Sequence, residues 1–466
     1  MKEYFDFIDQ AVKVYKDDIC RVSDSIWDLS EISFREKESA KLLMGELERH
    51  GFDITCPIAD IPTAFSASYG SGHPVIGFLA EYDALAGLSQ VADSTEQQTA
   101  VEGGHGHGCG HHLLGAGCFG AAVAVKEYIE KNNLSGTVVF FGCPAEEGGG
   151  GKIFMARSGA FDDVDIAISW HPDCINAVHS GSTLANTSMR YVFKGKAAHA
   201  AGCPHLGRSA LDAVELMNVG CNFLREHIIP EARLHYAITD SGGKVTNIVQ
   251  AHAESLYLIR APKNDQVAEI VERVNKVALG AAMMTETEVE IIFNKACSYF
   301  IPNDVVSREL YEAMETVPLP DYTEEDMAYA RGFIETYKSG DDDPKLTECI
   351  RRRVKKYEPS GNIMTGSTDV ADVSMNCPTA WFFGAAYAIG TPFHSWQMVA
   401  QGKSDIAHKG LVYASEVMAL TAVKFLTDPE KLKMAQEEFL EKRGPKAYVC
   451  PIPDDVAPGV PEDMKN

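Results

Sequence analysis

The 466-residue chain has no run of 18 apolar residues. A bilayer-spanning helix needs about 20, so none is expected. Residues 1–18 mix acids and apolar side chains in an amphipathic helical pattern without an apolar h-region, so they do not read as a secretion signal. Basic residues are scarce. Lysine and arginine number 42 against 66 aspartates and glutamates, a formal charge of −24. An acidic surface repels phosphate backbones and anionic lipid, which argues against nucleic acid or membrane as the main partner. Paired cysteines are missing too: twelve are scattered singly, with no C-x-x-C. That usage implies reduced thiols and a cytoplasmic setting. No tandem repeat is visible. A hydrophobic content of 45% and a charged content of 23% are ordinary for a globular chain, and the length suits two or three domains.

Against this background one stretch stands out. Residues 103–117 read GGHGHGCGHHLLGAG, with His105, His107, Cys109, His111 and His112 separated mostly by glycine. Imidazole nitrogen and thiolate are the side-chain donors best suited to borderline-soft divalent metals. An extended backbone would point Cys109 and His111 the same way, toward one ion. A helical pattern follows, starting at His112. Upstream, residues 4–18 and 36–50 have helical spacing, with Gly51 as a stop for the second.

Acids and a histidine recur where apolar strands end. Residues 75–80 are nearly all apolar, as in a strand buried on both faces, and run into Glu81-Tyr82-Asp83. Residues 137–142 run toward Glu146-Glu147 and four glycines, and 164–170 lead to His171. Open α/β sheets place their ligand crevice at such carboxyl ends. Adjacent acids point apart, so one could hold a metal while the other faces the reacting water.

From about residue 186 the pattern alternates, implying an antiparallel sheet with one solvated face. The order through residue 297 reads β-α-β-β-α-β, with Asn264 or Asp265 capping the second helix. The expected architecture is therefore α/β in two parts: residues 1–185 and 298–466 form one domain, and 186–297 an inserted ferredoxin-like domain. Residues 319–347, including Asp341, Asp342 and Asp343, read as a solvated acidic excursion. Residues 379–384 read as a strand, His394 lies in a loop, 408–426 form a long helix, and the proline-rich tail from 448 is expected to be irregular.

Taken in order, Cys109-Gly-His111, Pro144-Ala-Glu146-Glu147-Gly, Trp170-His171-Pro, the segment 195–200 with His199, and a late His394 resemble the aminoacylase/carboxypeptidase-G amidohydrolases. The resemblance runs through nearly the whole chain. It is nearest the branch whose first metal motif carries cysteine, which includes the indoleacetyl-amino-acid hydrolases. It implies a metallopeptidase-type catalytic domain with a lid and dimerisation insert. Two divalent ions, Mn²⁺ or Zn²⁺, would be held by Cys109, His111, Glu147, His171 and His394. Glu146 would be the general base, Asp83 would orient a ligand, and His199 would stabilise the oxyanion, often across a dimer interface. Asn247, Arg260, Ser367 and Thr368 would bind the substrate. The implied reaction is hydrolysis of an N-acyl or N-aroyl amino acid with an acidic amino-acid half, such as p-aminobenzoyl-glutamate, by a homodimer or by a heteromer with a related chain. A partner-dependent or non-catalytic member of a heteromer, or a dipeptidase, are the alternatives. Three positions depart from the family pattern. His112 replaces aspartate or asparagine and could itself be a ligand. Gln250 replaces proline, and Phe393 replaces leucine.

Overall fold

The computed structural model describes residues 1–340, 343, 345 and 347–459. Asp341, Asp342 and the end of the tail, expected to be an acidic excursion and irregular chain, lie outside the described residues.

A seven-stranded mixed sheet organises the larger part. Its strands run in the order Asp53–Thr55, Phe65–Ser71, Gly136–Gly142, Val75–Ala80, Ile166–Asp173, Thr379–Ala385 and Ala177–Val178. The four from Gly136–Gly142 to Thr379–Ala385 are mutually parallel, and the flanking ones pair antiparallel. The parallel strands are apolar on both faces because helices cover both sides. Phe78, Phe140 and Ile168 are wholly buried on one side, and Leu79, Phe141 and Ala167 pack on the other.

Three helices share the first side. Lys2–Leu29 runs well past the expected residue 18, because one apolar stripe of Ile8, Val12, Ile19, Val22 and Ile26 continues unbroken. His111–Asn132 is buried on nearly every face from His111 to Val125. Asp405–Thr427 packs on both. By length and composition it is apolar enough to cross a bilayer, but 83% of its apolar window is buried inside the protein, as in a core helix.

A second, four-stranded antiparallel sheet has the order Glu288–Cys297, Ala185–Lys194, His252–Ala261, Arg233–Asp240. Helices Ala210–Leu224 and Asn264–Thr285 pack on one face through Met217, Tyr257, Ile270 and Val274. The second helix is not capped as expected. Asn264 is its first residue, and its amide instead donates to Ser298 Oγ at 2.9 Å, tying the helix to the chain's exit from the sheet. The acidic stretch after residue 319 is not merely solvated either. Thr323 caps helix Glu324–Ile334, which buries Ala330, Phe333 and Ile334 against Ala388, Ala400 and Ile406.

Candidate metal centre

Four parallel strands end side by side, and the chain leaving each one carries groups with metal-binding or proton-carrying chemistry. Val75–Ala80 leads into Glu81 and Asp83, both buried. Gly136–Gly142 leads into Glu146 and Glu147 through Ala145, whose φ of +61° is uncommon for a residue with a Cβ. The buried Glu36 carboxylate holds that turn by accepting the Ala145 N–H at 2.9 Å. His171 lies near the end of Ile166–Asp173. His394 follows Thr379–Ala385 at φ +55°, and its N–H donates to the Gly108 carbonyl at 2.8 Å, joining the last loop to the glycine-histidine loop. Strained backbone of this kind persists where surrounding contacts over-determine it.

Cys109 and His111 do meet, though not through an extended backbone. Gly110 turns at φ +80° and His111 opens the helix. A Cβ at Gly110 would lie 2.6 Å from Tyr387 Oη, so the turn needs glycine on two counts.

Two overlapping triads result. Cys109, His111 and His171 offer ligand atoms within 4.8 Å of one another, and so do Cys109, Glu147 and His394. Cys109 Sγ is 3.5 Å from His171 Nε2, and His394 Nε2 is 3.2 Å from Glu147 Oε1. All five residues expected as ligands are thus gathered, with the cysteine common to both groups. A third triad joins His111 to Glu81 and Glu146.

The donor set fits divalent metal. His111 Nδ1 donates to Asp83 Oδ1 at 2.8 Å, and His171 Nδ1 donates to the Pro172 carbonyl at 2.9 Å. Both bonds fix ring orientation and aim each Nε2 inward. His111 Nε2 lies 3.2 Å from Glu81 Oε2, yet the geometry is not that of a hydrogen bond, and this buried nitrogen has no hydrogen-bond partner; nor has the buried Glu147 Oε1. Orphaned buried atoms of this kind are costly unless something binds them. Burial opposes charge on His111, but Cys109, Glu81 and Asp83 together hold it well above the usual imidazole range, so the surroundings favour a positive charge here. Asp83 also accepts from Ser33 Oγ at 2.9 Å and from the Glu147 N–H at 3.0 Å. Burial pushes its carboxyl up, but the His111 imidazole and these donors outweigh it and hold the group below the usual range. Glu146 is the opposite case. Burial, then the carboxylates of Glu81, Glu147 and Asp369, raise it well above an ordinary glutamate, as suits a group that must take up a proton.

Sequence reasoning missed the support beneath this cluster. Lys152 is fully buried, with Nζ 2.6 Å from both Glu81 Oε1 and Asp369 Oδ1. Its backbone N–H donates to Asp369 Oδ2 at 3.0 Å. The only signal was a lysine directly after four glycines.

Two cavities meet at Glu146, Glu147, Ser367 and Thr368. The larger, about 470 Å³, is lined by the candidate ligands Cys109, His171 and His394 together with Trp381, Phe383 and Phe393, and the Phe393 ring packs 5.7 Å from that of His171. The smaller, about 140 Å³, contains Arg260. Arg260 donates to the Thr365 carbonyl at 2.9 Å and Ser367 Oγ at 3.2 Å. His199 and Asn247 line neither cavity. They are exposed neighbours just beyond the paired ends of the second sheet's two central strands, joined by the Ala200 N–H donating to the Asn247 carbonyl at 2.9 Å. His112 belongs to no triad. It is buried, with Nε2 bonded to the Gly402 carbonyl at 3.0 Å and its ring against His107. His107 in turn reaches the Ile26 carbonyl at 3.0 Å, and burial pushes it down to about 4. Both histidines tie the loop to the surrounding helices.

Residues 77–397 match the model of Peptidase family M20/M25/M40. The chain is 46% identical to one of the subunits of p-aminobenzoyl-glutamate hydrolase from Escherichia coli (strain K12), covering 98% of this chain and 99% of that one. It is 28% identical to Xaa-Arg dipeptidase of Mus musculus, covering 90% and 88%. Among solved structures, the Bacillus subtilis YXEP protein, a dinuclear metal binding peptidase, superposes with a TM-score of 0.58 at 19% identity, covering 89% of this chain and 99% of that one.

Proposed function

The chain belongs to Peptidase family M20/M25/M40 and is a hydrolase of amide bonds, and from that premise we propose that it cleaves N-acyl or N-aroyl amino acids such as p-aminobenzoyl-glutamate. The observation that carries this reading is the pair of triads sharing Cys109 beside the proton-avid Glu146. Cys109, His111, Glu147, His171 and His394 would hold two ions, Mn²⁺ or Zn²⁺. Bound there, they would polarise the amide carbonyl and lower the pKa of the attacking water. Glu146 takes the proton from that water and returns it to the leaving amine nitrogen. Asp83 keeps the His111 ring in place. The aromatic wall of the larger cavity suits an aryl acyl group, and Arg260, with Ser367 and Thr368, suits a carboxylate on the other side of the scissile bond.

Residues 186–297 serve, in this reading, as lid and dimerisation domain. His199 and Asn247, exposed and away from the cavities of their own chain, would complete the site of a second copy, with His199 stabilising the developing oxyanion. The same exposure supports a second reading, in which turnover needs a related partner chain. The twelve free cysteines support a reducing, cytoplasmic setting.

Glu146→Gln should lower kcat by roughly 10²–10⁴-fold while metal content stays the same. A variant that keeps its activity refutes the assignment. Purified chain that turns over p-aminobenzoyl-glutamate alone excludes the partner-dependent reading.

A further inference from the structure

This inference rests on the amidohydrolase reading and concerns which amino-acid half the site selects. One face of the four-stranded sheet forms a wall of the smaller cavity. Asn186, Arg260 and Cys297 stand opposite one another across three strands, and Ser188, Leu258 and Lys295 form the next row. Lys295 is on this face because of an irregularity. Val289, Ile291 and Phe293 point to the helix-covered face, and simple alternation would send Lys295 after them. The register shifts between Phe293 and Lys295, leaving Asn294 as an extra residue whose amide donates to Ser188 Oγ at 3.1 Å. A one-residue bulge reverses which face every later side chain takes. It turns Lys295 into the cavity, alongside Arg260 and Glu146.

Lys295 has no acid of its own there. Glu147 Oε1 lies 3.2 Å from His394 Nε2 and Asp369 is bonded to Lys152, and among the described residues no carboxylate pairs with Lys295. Asn186, only 7% exposed, has a buried Oδ1 without a hydrogen-bond partner. Its amide can be turned to offer N–H instead. A guanidinium, an ammonium and an unpaired amide lining one small cavity match two carboxylates, not one. We propose that Arg260 binds one carboxylate of the amino-acid half while Lys295, with Asn186, binds a second, so that the enzyme selects glutamate-like dicarboxylic amino acids over neutral ones. Lys295 is a specificity residue in this scheme, and the bulge at Asn294 positions it.

The experiment compares p-aminobenzoyl-glutamate with p-aminobenzoyl-glutamine, which lacks only the second carboxylate. Wild type should favour the glutamate conjugate in kcat/KM by roughly tenfold to a hundredfold, the range of one charge-assisted hydrogen-bonded contact. Lys295→Met should collapse that ratio toward one, and Lys295→Arg should restore most of it. A ratio unchanged in Lys295→Met overturns the proposal. Calorimetric binding of free glutamate against glutamine reads the same subsite without turnover. If neither conjugate is hydrolysed, yet wild type binds glutamate better and Lys295→Met does not, the reading that this chain alone cleaves aroyl-glutamate falls and the Lys295 subsite stands. If the conjugates are hydrolysed without preference, this proposal falls and the amidohydrolase reading stands.

Discussion

Replacing Asp83 with asparagine probes the candidate metal centre at its most connected point. The carboxylate accepts three hydrogen bonds, from His111 Nδ1 at 2.8 Å, Ser33 Oγ at 2.9 Å and the Glu147 N–H at 3.0 Å. Asparagine keeps the shape and can still accept from His111 through one oxygen. That bond would change from charge-assisted to neutral, a loss of about 1 kcal/mol. The amide nitrogen would then face Ser33 and Glu147. The serine hydroxyl can rotate away, but the Glu147 N–H cannot, and leaving it unpaired costs about 1–3 kcal/mol. Turning the amide over trades this for worse. Its N–H₂ would meet His111 Nδ1 and force the proton to Nε2, removing the lone pair aimed at the other triad members. Part of the cost will relax, so metal affinity should fall about 10–100-fold, the usual range for the partner of a ligating histidine. Competition titration against a chromophoric chelator measures it. An affinity within about twofold of wild type would mean that Asp83 does not orient His111 for metal, and the reasoning fails.

Lys152→Met should destabilise the fold by about 3–5 kcal/mol, because Glu81 and Asp369 would keep their buried charge without its partner; a urea titration showing less than about 1 kcal/mol contradicts this. Burial, with Asp9 nearby, pushes Glu416 up to about 8, so the folded chain holds that proton more tightly than the unfolded one. The linked stability is fully present below the ordinary glutamate range near pH 4.5 and is lost as pH rises through about 8. Glu416→Gln should therefore raise Tm over wild type at pH 9 and match it near pH 5, and equal effects at both would contradict the sign. Chelator should lower Tm and added Mn²⁺ or Zn²⁺ restore it, since a ligand at a hundredfold excess over Kd contributes about 2.7 kcal/mol; a Tm indifferent to both would count against a metal centre.

The strands that carry the site were legible because burial on both faces leaves a near-continuous apolar run, and the residue just past such a run sits at the sheet's crevice. Glu81, Asp83, Glu146, Glu147 and His171 were all found that way. The β-α-β-β-α-β order of residues 185–297 was legible because alternation and helical spacing differ in period. What escaped depends on partners far off in sequence. Nothing local shows that Lys152 will be enclosed by Glu81 and Asp369, or that His112 will face Gly402 and not a metal. The bulge at Asn294 escaped because register is a property of two strands, and with it went Lys295. Cys109 and His111 were expected together for the wrong backbone reason, since alternation holds only for extended chain and Gly110 turns at φ +80°. Helix Glu324–Ile334 was hidden by its acids, although Thr323 and Asp326 form a capping box at its start.

The proposed chemistry would need two cations beside Glu146, and the two triads that share Cys109 are the residues that would hold them. Anomalous diffraction from crystals grown with Mn²⁺ measures this directly. Two peaks per chain, both within bonding distance of Cys109 Sγ, one flanked by His111 and His171 and the other by Glu147 and His394, are the expected result. A single peak remote from Cys109, or none among these five side chains, would contradict it.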